Sequence, residues 1–158
     1  MKTRISPFLW FDTRAEEAAR FYCAIFPNSG IDSVARYPEG TPGTPGTVMT
    51  VGFHLDGQRF TALNGGPVFT FSQAISFVID CETQAEIDHY WEHLAAGGSV
   101  QQCGWLIDRY GIAWQVVPTM LPALLAGPDQ AKARRVTDAF MKMVKFDIAA
   151  LERAAAGK

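Results

Sequence analysis

Few side chains in this sequence have the type and spacing to invite chemistry. His89 and His93 stand four residues apart, a spacing that on a helix brings two imidazoles to one face, as in metalloprotease helices. Glu92 is adjacent to His93, so the H-E-x-x-H order is absent, and a solvated helix face is the plainer reading. His54 lies alone in a strand-like run, where a structural hydrogen bond is the simpler role. Cys103-Gly104-Trp105 invites a nucleophilic thiolate, which needs a nearby base and an electropositive setting. No histidine holds a fixed relation to it, and packing at a strand end is the alternative. Asn64-Gly65-Gly66-Pro67 has the glycines of a phosphate loop, but proline and strand-like residues follow, whereas a phosphate cradle feeds a helix N-terminus. It reads as a turn.

The elements that must position these groups come in two similar sets. Thr13-Arg14-Ala15-Glu16 and Thr83-Gln84-Ala85-Glu86 share T-x-A-E, seventy residues apart from 13 to 83. In each, the threonine hydroxyl is expected to accept from the amide three residues on while the glutamate reaches back, a capping box that opens a helix. Apolar side chains at Ala15, Ala18, Ala19, Tyr22, Ile25 and Phe26 mark the first helix, and Ile87, Tyr90, Trp91 and Leu94 the second, expected over about 85–96. Strand-type sequence precedes each helix, at 5–11 and 74–79. More follows each: 33–37, 48–55 and 59–64, then 100–103, 105–107 and 113–117. Asp56-Gly57 and Tyr110-Gly111 mark hairpin turns.

Each half therefore reads βαβββ. Two such halves are expected to share a curved mixed sheet, α+β in class, with the helices outside and a concave cup inside, the default ligand site. By strand alternation the cup is expected to present Leu9, Phe11, Leu63, Phe77, Ile79 and Val117, with Thr61, Asn64 and Gln115 as sparse polar points. Trp10 and Trp105 either stack on a ligand or belong to the core. The loop at 38–46 carries three prolines and no apolar anchor; it gates the cup or merely connects. A helical tail follows from about Leu121. In it Val136, Phe140, Met143 and Val144 are expected on one stripe, Lys132, Arg134, Arg135, Lys142 and Lys145 on a solvated face, and Asp147 as the cap of a last short helix. The whole, residues 1–158, is read as one domain: module 1 at about 4–67, module 2 at about 72–118, and the tail at about 119–158.

Composition removes several function classes. At 158 residues and 48% hydrophobic, the chain can close a core without metals or disulfides. A net charge of −2 gives no positive field to gather nucleic acid or an anionic membrane, so neither is an expected partner. The three cysteines, Cys23, Cys81 and Cys103, are far apart and form no CxxC pair, which suits a reducing compartment. No apolar run has the length of a signal or a membrane span, and a cytoplasmic protein is expected.

Paired βαβββ halves with T-x-A-E helix starts resemble the vicinal oxygen chelate superfamily: glyoxalase I, fosfomycin-resistance proteins, extradiol dioxygenases and bleomycin-resistance proteins. Pro7-Phe8-Leu9-Trp10-Phe11, Ala15-Glu16-Glu17-Ala18, Phe21-Tyr22, Leu63-Asn64-Gly65-Gly66-Pro67, Cys103-Gly104-Trp105 and Trp114-Gln115-Val116-Val117-Pro118 resemble its PhnB-like branch, labelled 3-demethylubiquinone-9 3-methyltransferase. The similarity runs from about Ile5 to Ala154. The resemblance implies metal-ligand positions on the first and last strands of each half. Counted from the threonines these fall near Ile5 and Ile75, with Pro7 and Phe77 as register alternatives, and at Thr61 and Gln115. Hydrocarbon side chains, one hydroxyl and one amide do not make a divalent-metal site, so no metal and no cofactor are expected. The glycine-rich turn of common adenosylmethionine sites is absent after the first strand. The resulting expectation is a metal-independent binding protein for an apolar or aromatic small molecule, contacted by Gln115, Thr61, Asn64, Leu9, Phe11, Phe77, Trp10 and Trp105. The alternatives are an enzyme of the superfamily, glyoxalase- or dioxygenase-like or bearing the labelled methyltransferase activity, and an assembly scaffold. No catalytic residue is assigned. The resemblance also implies a homodimer, and Gln115 is expected to bond a ligand or Thr61.

Overall fold

The computed structural model describes residues 4–158. They form two compact units that divide between Phe71 and Ser72. The first holds β1 (Phe8–Phe11), α1 (Ala15–Ile25), β2 (Gly30–Arg36), β3 (Val48–Leu55) and β4 (Gln58–Asn64). The second holds β5 (Phe77–Cys81), α2 (Gln84–Ala95), β6 (Ser99–Val100), β7 (Trp105–Ile107) and β8 (Ala113–Pro118), then α3 (Leu121–Leu125), α4 (Gln130–Phe140) and α5 (Ile148–Ala156). Each unit builds an open four-stranded mixed sheet in the same order, β1-β4-β3-β2 and β5-β8-β7-β6. In each, the first and last strands run parallel and the other neighbours antiparallel. Both βαβββ modules are thus present, and Asp56-Gly57 closes its hairpin with positive φ at both residues. Among the described residues no helix is long and apolar enough to cross a membrane.

One face of each sheet is buried against its helix. In module 1, Leu9, Phe11, Val51, Phe53, Leu55, Phe60 and Ala62 are buried with Ala15, Ala18, Ala19, Tyr22 and Ile25 of α1. The alanines let helix and sheet approach closely, so a larger side chain there would overpack by about 1–3 kcal/mol. In module 2, Ile79, Cys81, Leu106, Trp114 and Val116 share the core with Ile87, Trp91 and Leu94 of α2. Leu9, Phe11, Phe77 and Ile79, expected on a concave ligand face, therefore lie on the helix side. Their strand partners fix this: Leu9 pairs with buried Ala62, and Phe77 pairs with buried Trp114, its ring 5.3 Å away. The first strands also begin later than expected. Residues 5–7 stay outside β1, although the Pro7 carbonyl still accepts from the Thr61 amide at 3.1 Å; proline has no N–H to extend the ladder.

Only one of the two expected capping boxes forms. Thr83 is extended (φ −126°, ψ 157°), its hydroxyl accepts from Glu86 N, and Glu86 accepts from Thr83 N at 3.0 Å. α1 instead begins after Arg14, whose side chain makes no cap bond. Asn64, at the end of β4, supplies the cap from a distance: its Oδ1 accepts from Ala15 N at 2.8 Å while its Nδ2 donates to Val48 O at 3.1 Å. Glu16, the expected box partner, pairs with Arg20 at 2.7 Å.

The tail folds onto module 2. Asp147 caps α5 as expected, accepting from Ala150 N at 2.9 Å. The expected stripe is broken because α4 stops at Phe140. Met143 and Val144 lie in the following turn, where their carbonyls accept from Cys103 N and Gly104 N at 2.8 and 2.9 Å. Two residues of the supposedly solvated face make contacts within the fold. Arg135 donates to the Ala154 and Ala155 carbonyls at the end of α5, and Lys145 pairs with Asp88 of α2 at 2.6 Å.

Candidate functional site

With the helix-covered faces assigned, the opposite face of each sheet presents the other parity. In module 1 this is Phe8, Trp10, Thr61, Leu63 and Thr50; in module 2, Val78, Asp80, Gln115, Val117 and Trp105. Thr61 pairs with Phe8 and Gln115 pairs with Val78. The residues beside the two polar points are thus Phe8 and Val78, not the expected Ile5 and Ile75, which precede the strands and are exposed. Phe8 and Val78 are large apolar side chains left 60% and 55% exposed. Gln115 also faces Trp105 across the β7–β8 ladder and donates to Ser76 Oγ at 2.9 Å, a partner the sequence did not suggest.

The fold implies a divalent metal on such faces, and the donors do not fit one. At the implied ligand positions each module offers one neutral oxygen beside a hydrocarbon side chain, and Asp80 is the single carboxylate among these open-face residues, short of the set of carboxylates and imidazoles that holds a hard or borderline cation. No cluster of three or more His, Cys, Asp or Glu occurs among the described residues. His89 and His93 lie exposed on α2, and His93 Nδ1 is 2.7 Å from the His89 carbonyl. His54 Nδ1 is 2.8 Å from Asp32 Oδ1, on the neighbouring strand.

The remaining expected contacts divide. Trp10 donates from Nε1 to the Gly66 carbonyl at 2.9 Å and meets Phe69 edge-on at 5.0 Å, so its ring is held by module 1 itself. Gly65 allows this, since a Cβ there would run into the indole. Asn64 works as a helix cap and belongs to the α1 side. Cys103 occupies a left-handed turn (φ 59°), its sulfur 3.8 Å from the Phe140 carbonyl and 3.9 Å from Met141 Sδ. Burial, reinforced by the charges of Glu86 and Asp80, pushes the Cys81 thiol up to about 12, which leaves it inert. Asp108 escaped sequence reasoning altogether. Almost fully buried, it accepts from the amides of Tyr110 and Ile112 and from the Trp114 indole, all within 3.0 Å, and so builds the hairpin that carries Gln115.

Comparisons with known proteins agree with this architecture. Residues 3–117 match the model of a family described as 3-demethylubiquinone-9 3-methyltransferase, so the match ends short of the tail that the sequence resemblance had included. A PhnB protein of Bacillus cereus, assigned by name to the same methyltransferases, is 38% identical with a TM-score of 0.68, over 74% of this chain and 100% of that one. Protein PA1353 of Pseudomonas aeruginosa is 21% identical, with a TM-score of 0.62 over 74% and 98% of the two chains. The fosfomycin resistance protein FosX of Listeria monocytogenes, solved with Mn(II) and sulfate, shares the fold at 12% identity and a TM-score of 0.51, over 75% and 90%. No curated protein matches. The chain belongs to the family described as 3-demethylubiquinone-9 3-methyltransferase, the PhnB-like branch that its motifs resemble.

Proposed function

We propose that the protein is a metal-independent binding protein for an apolar or aromatic small molecule, held on the open face of its sheets. One observation carries this reading: Phe8 and Val78, exposed and apolar, stand beside Thr61 and Gln115 where the fold would otherwise place metal donors. A flat molecule with a hydrogen-bonding oxygen suits such a surface, burying hydrocarbon against Phe8 or Val78 and taking its one polar contact from Thr61 or Gln115. The protein acts as a cytoplasmic homodimer in this reading, and sedimentation at monomer mass would count against the dimer. Two measurements test the binding role. Metal analysis of untagged protein should find no stoichiometric zinc, iron, manganese or nickel. Titration with 1,4-naphthoquinone, followed by tryptophan quenching, should saturate, and Gln115→Leu should weaken it about tenfold, the scale of one buried hydrogen bond. The family's name favours a second reading, an enzyme on a quinone-like substrate. One metal per chain, removable by a chelator with loss of binding, would select a metal-dependent enzyme over the binding role.

A further inference from the structure

A cavity of about 590 Å³ opens in module 1, where the carboxyl ends of β1 and β4 meet the start of α1 and the β2–β3 loop. Its size lies within the range of small-molecule sites. The floor is hydrogen-bonded to itself. Asn64 caps α1, its carbonyl accepts from the Tyr37 hydroxyl, and the Gly65 and Gly66 amides donate to the Phe11 and Asp12 carbonyls. The roof is the 38–46 loop, folded back so that a Cβ on Gly43 would strike the Tyr37 ring. It is pinned by Gly46 N to Tyr37 O and Tyr37 N to Thr47 O, both at 2.9 Å, and by Arg36 Nη1 to Gly46 O at 3.0 Å.

The charge of the lining selects the ligand. Of the carboxylates in the lining, Glu17 accepts from Arg14 Nε at 3.0 Å and Glu16 pairs with Arg20 at 2.7 Å, which leaves the exposed Asp12 carboxylate as the negative charge without a cationic partner among the described residues. A helix N-terminus ordinarily attracts anions, but the first-turn carboxylates of α1 answer its dipole and repel a second negative charge. Because Asn64 has taken over the cap, the Thr13 hydroxyl has no such duty. No hydrogen bond engages it or the Asp12 carboxylate among the described residues, and both line the cavity. We propose that this cavity binds a small molecule bearing an ammonium group, with Asp12 as its counter-charge, Thr13 as a hydrogen-bond partner and the 38–46 loop as its roof. The site is separate from the open sheet face and does not depend on the function proposed for that face.

The test is titration of isotopically labelled protein with ethanolamine, reading the amide signals of Gly43, Gly65 and Gly66, with inorganic phosphate as the anionic control. Saturable shifts are expected with ethanolamine and none with phosphate. Asp12→Asn should weaken the ethanolamine response about fivefold, the scale of one partly exposed charge contact, with an unchanged circular dichroism spectrum. Gly43→Ala, which drives the roof off Tyr37, should weaken it as well and carries the test should Asp12→Asn fail to fold. Shifts that do not saturate, phosphate acting on the same amides, or variants that bind like the parent would overturn the proposal.

Discussion

The two modules share a topology and a helix-start sequence, yet they solve the same end of the fold differently. Module 2 caps its helix locally, through Thr83 and Glu86, and closes its last strand with Pro118 opposite Cys81. Module 1 has the same T-x-A-E letters but caps from Asn64, which stands opposite Phe11 at the position equivalent to Pro118. The β2–β3 connection, residues 37–47, is also longer than its counterpart, residues 101–104. A remote cap and a long loop together leave a polar cavity in module 1. A local cap and a short loop leave room in module 2 for the tail, whose turn hydrogen-bonds to Cys103 and Gly104. Duplicated topology therefore carries two different elaborations at corresponding ends.

The largest effect that would sharpen this contrast lies in module 2. Asp108→Ala removes the acceptor of the half-buried Tyr110 amide, the buried Ile112 amide and the Trp114 indole, and should destabilise the protein by about 3 kcal/mol in denaturant unfolding. Asp108→Asn keeps one acceptor and should lose about half of that. A near-neutral Asp108→Ala would mean that the hairpin is held by hydrophobic packing alone.

The caps come next. Asn64→Ala should cost about 1–2 kcal/mol and Thr83→Ala about 1 kcal/mol. Thr13→Ala, a change in the same motif as Thr83, should stay within about 0.5 kcal/mol, as for a surface position outside any cap. Equal losses at Thr13 and Thr83 would break the comparison, because they would mean that the two helix starts are capped alike.

These residues also show how far the sequence could be read. Helix stripes and hairpin glycines are local, so the order of elements followed from spacing, with Val48–Leu55 and Trp105–Ile107 found as expected. Strand faces did not follow. Phe8-Leu9-Trp10-Phe11 and Phe77-Val78-Ile79 are apolar at both parities, so alternation cannot choose a buried side. The choice is made by partner strands in which Thr61 and Gln115 separate buried residues, information that pairing alone supplies. The Asn64 cap joins positions 49 apart in sequence, and no local motif announces it. Thr13 shows the converse: a complete motif whose helix starts one residue later than its counterpart, so that Arg14 and not the threonine stands at the cap position.

The smallest effect separates the tail from the module that carries it. Asp88 on α2 accepts from Lys145 at 2.6 Å and from Gln84 at 3.1 Å, and these hydrogen bonds, helped by the lysine charge, hold its carboxyl below the usual carboxylate range. A carboxylate with a lowered pKa in the folded state contributes stability above its unfolded value, near pH 4, and loses it as pH falls through the folded value. Both partners are about two-fifths exposed, so the contribution is small. Gln84 also accepts from the Ile148 amide, so loosening of this cluster should appear as faster hydrogen exchange at Ile148. Lys145→Met should speed that exchange modestly at neutral pH. The difference from the parent should shrink as pH falls below about 4 and through the lowered folded value, as protonation of Asp88 removes the ion pair from both proteins. A difference that stays constant across that range would assign the effect to the packing of the lysine's hydrocarbon stem, with no part played by its charge.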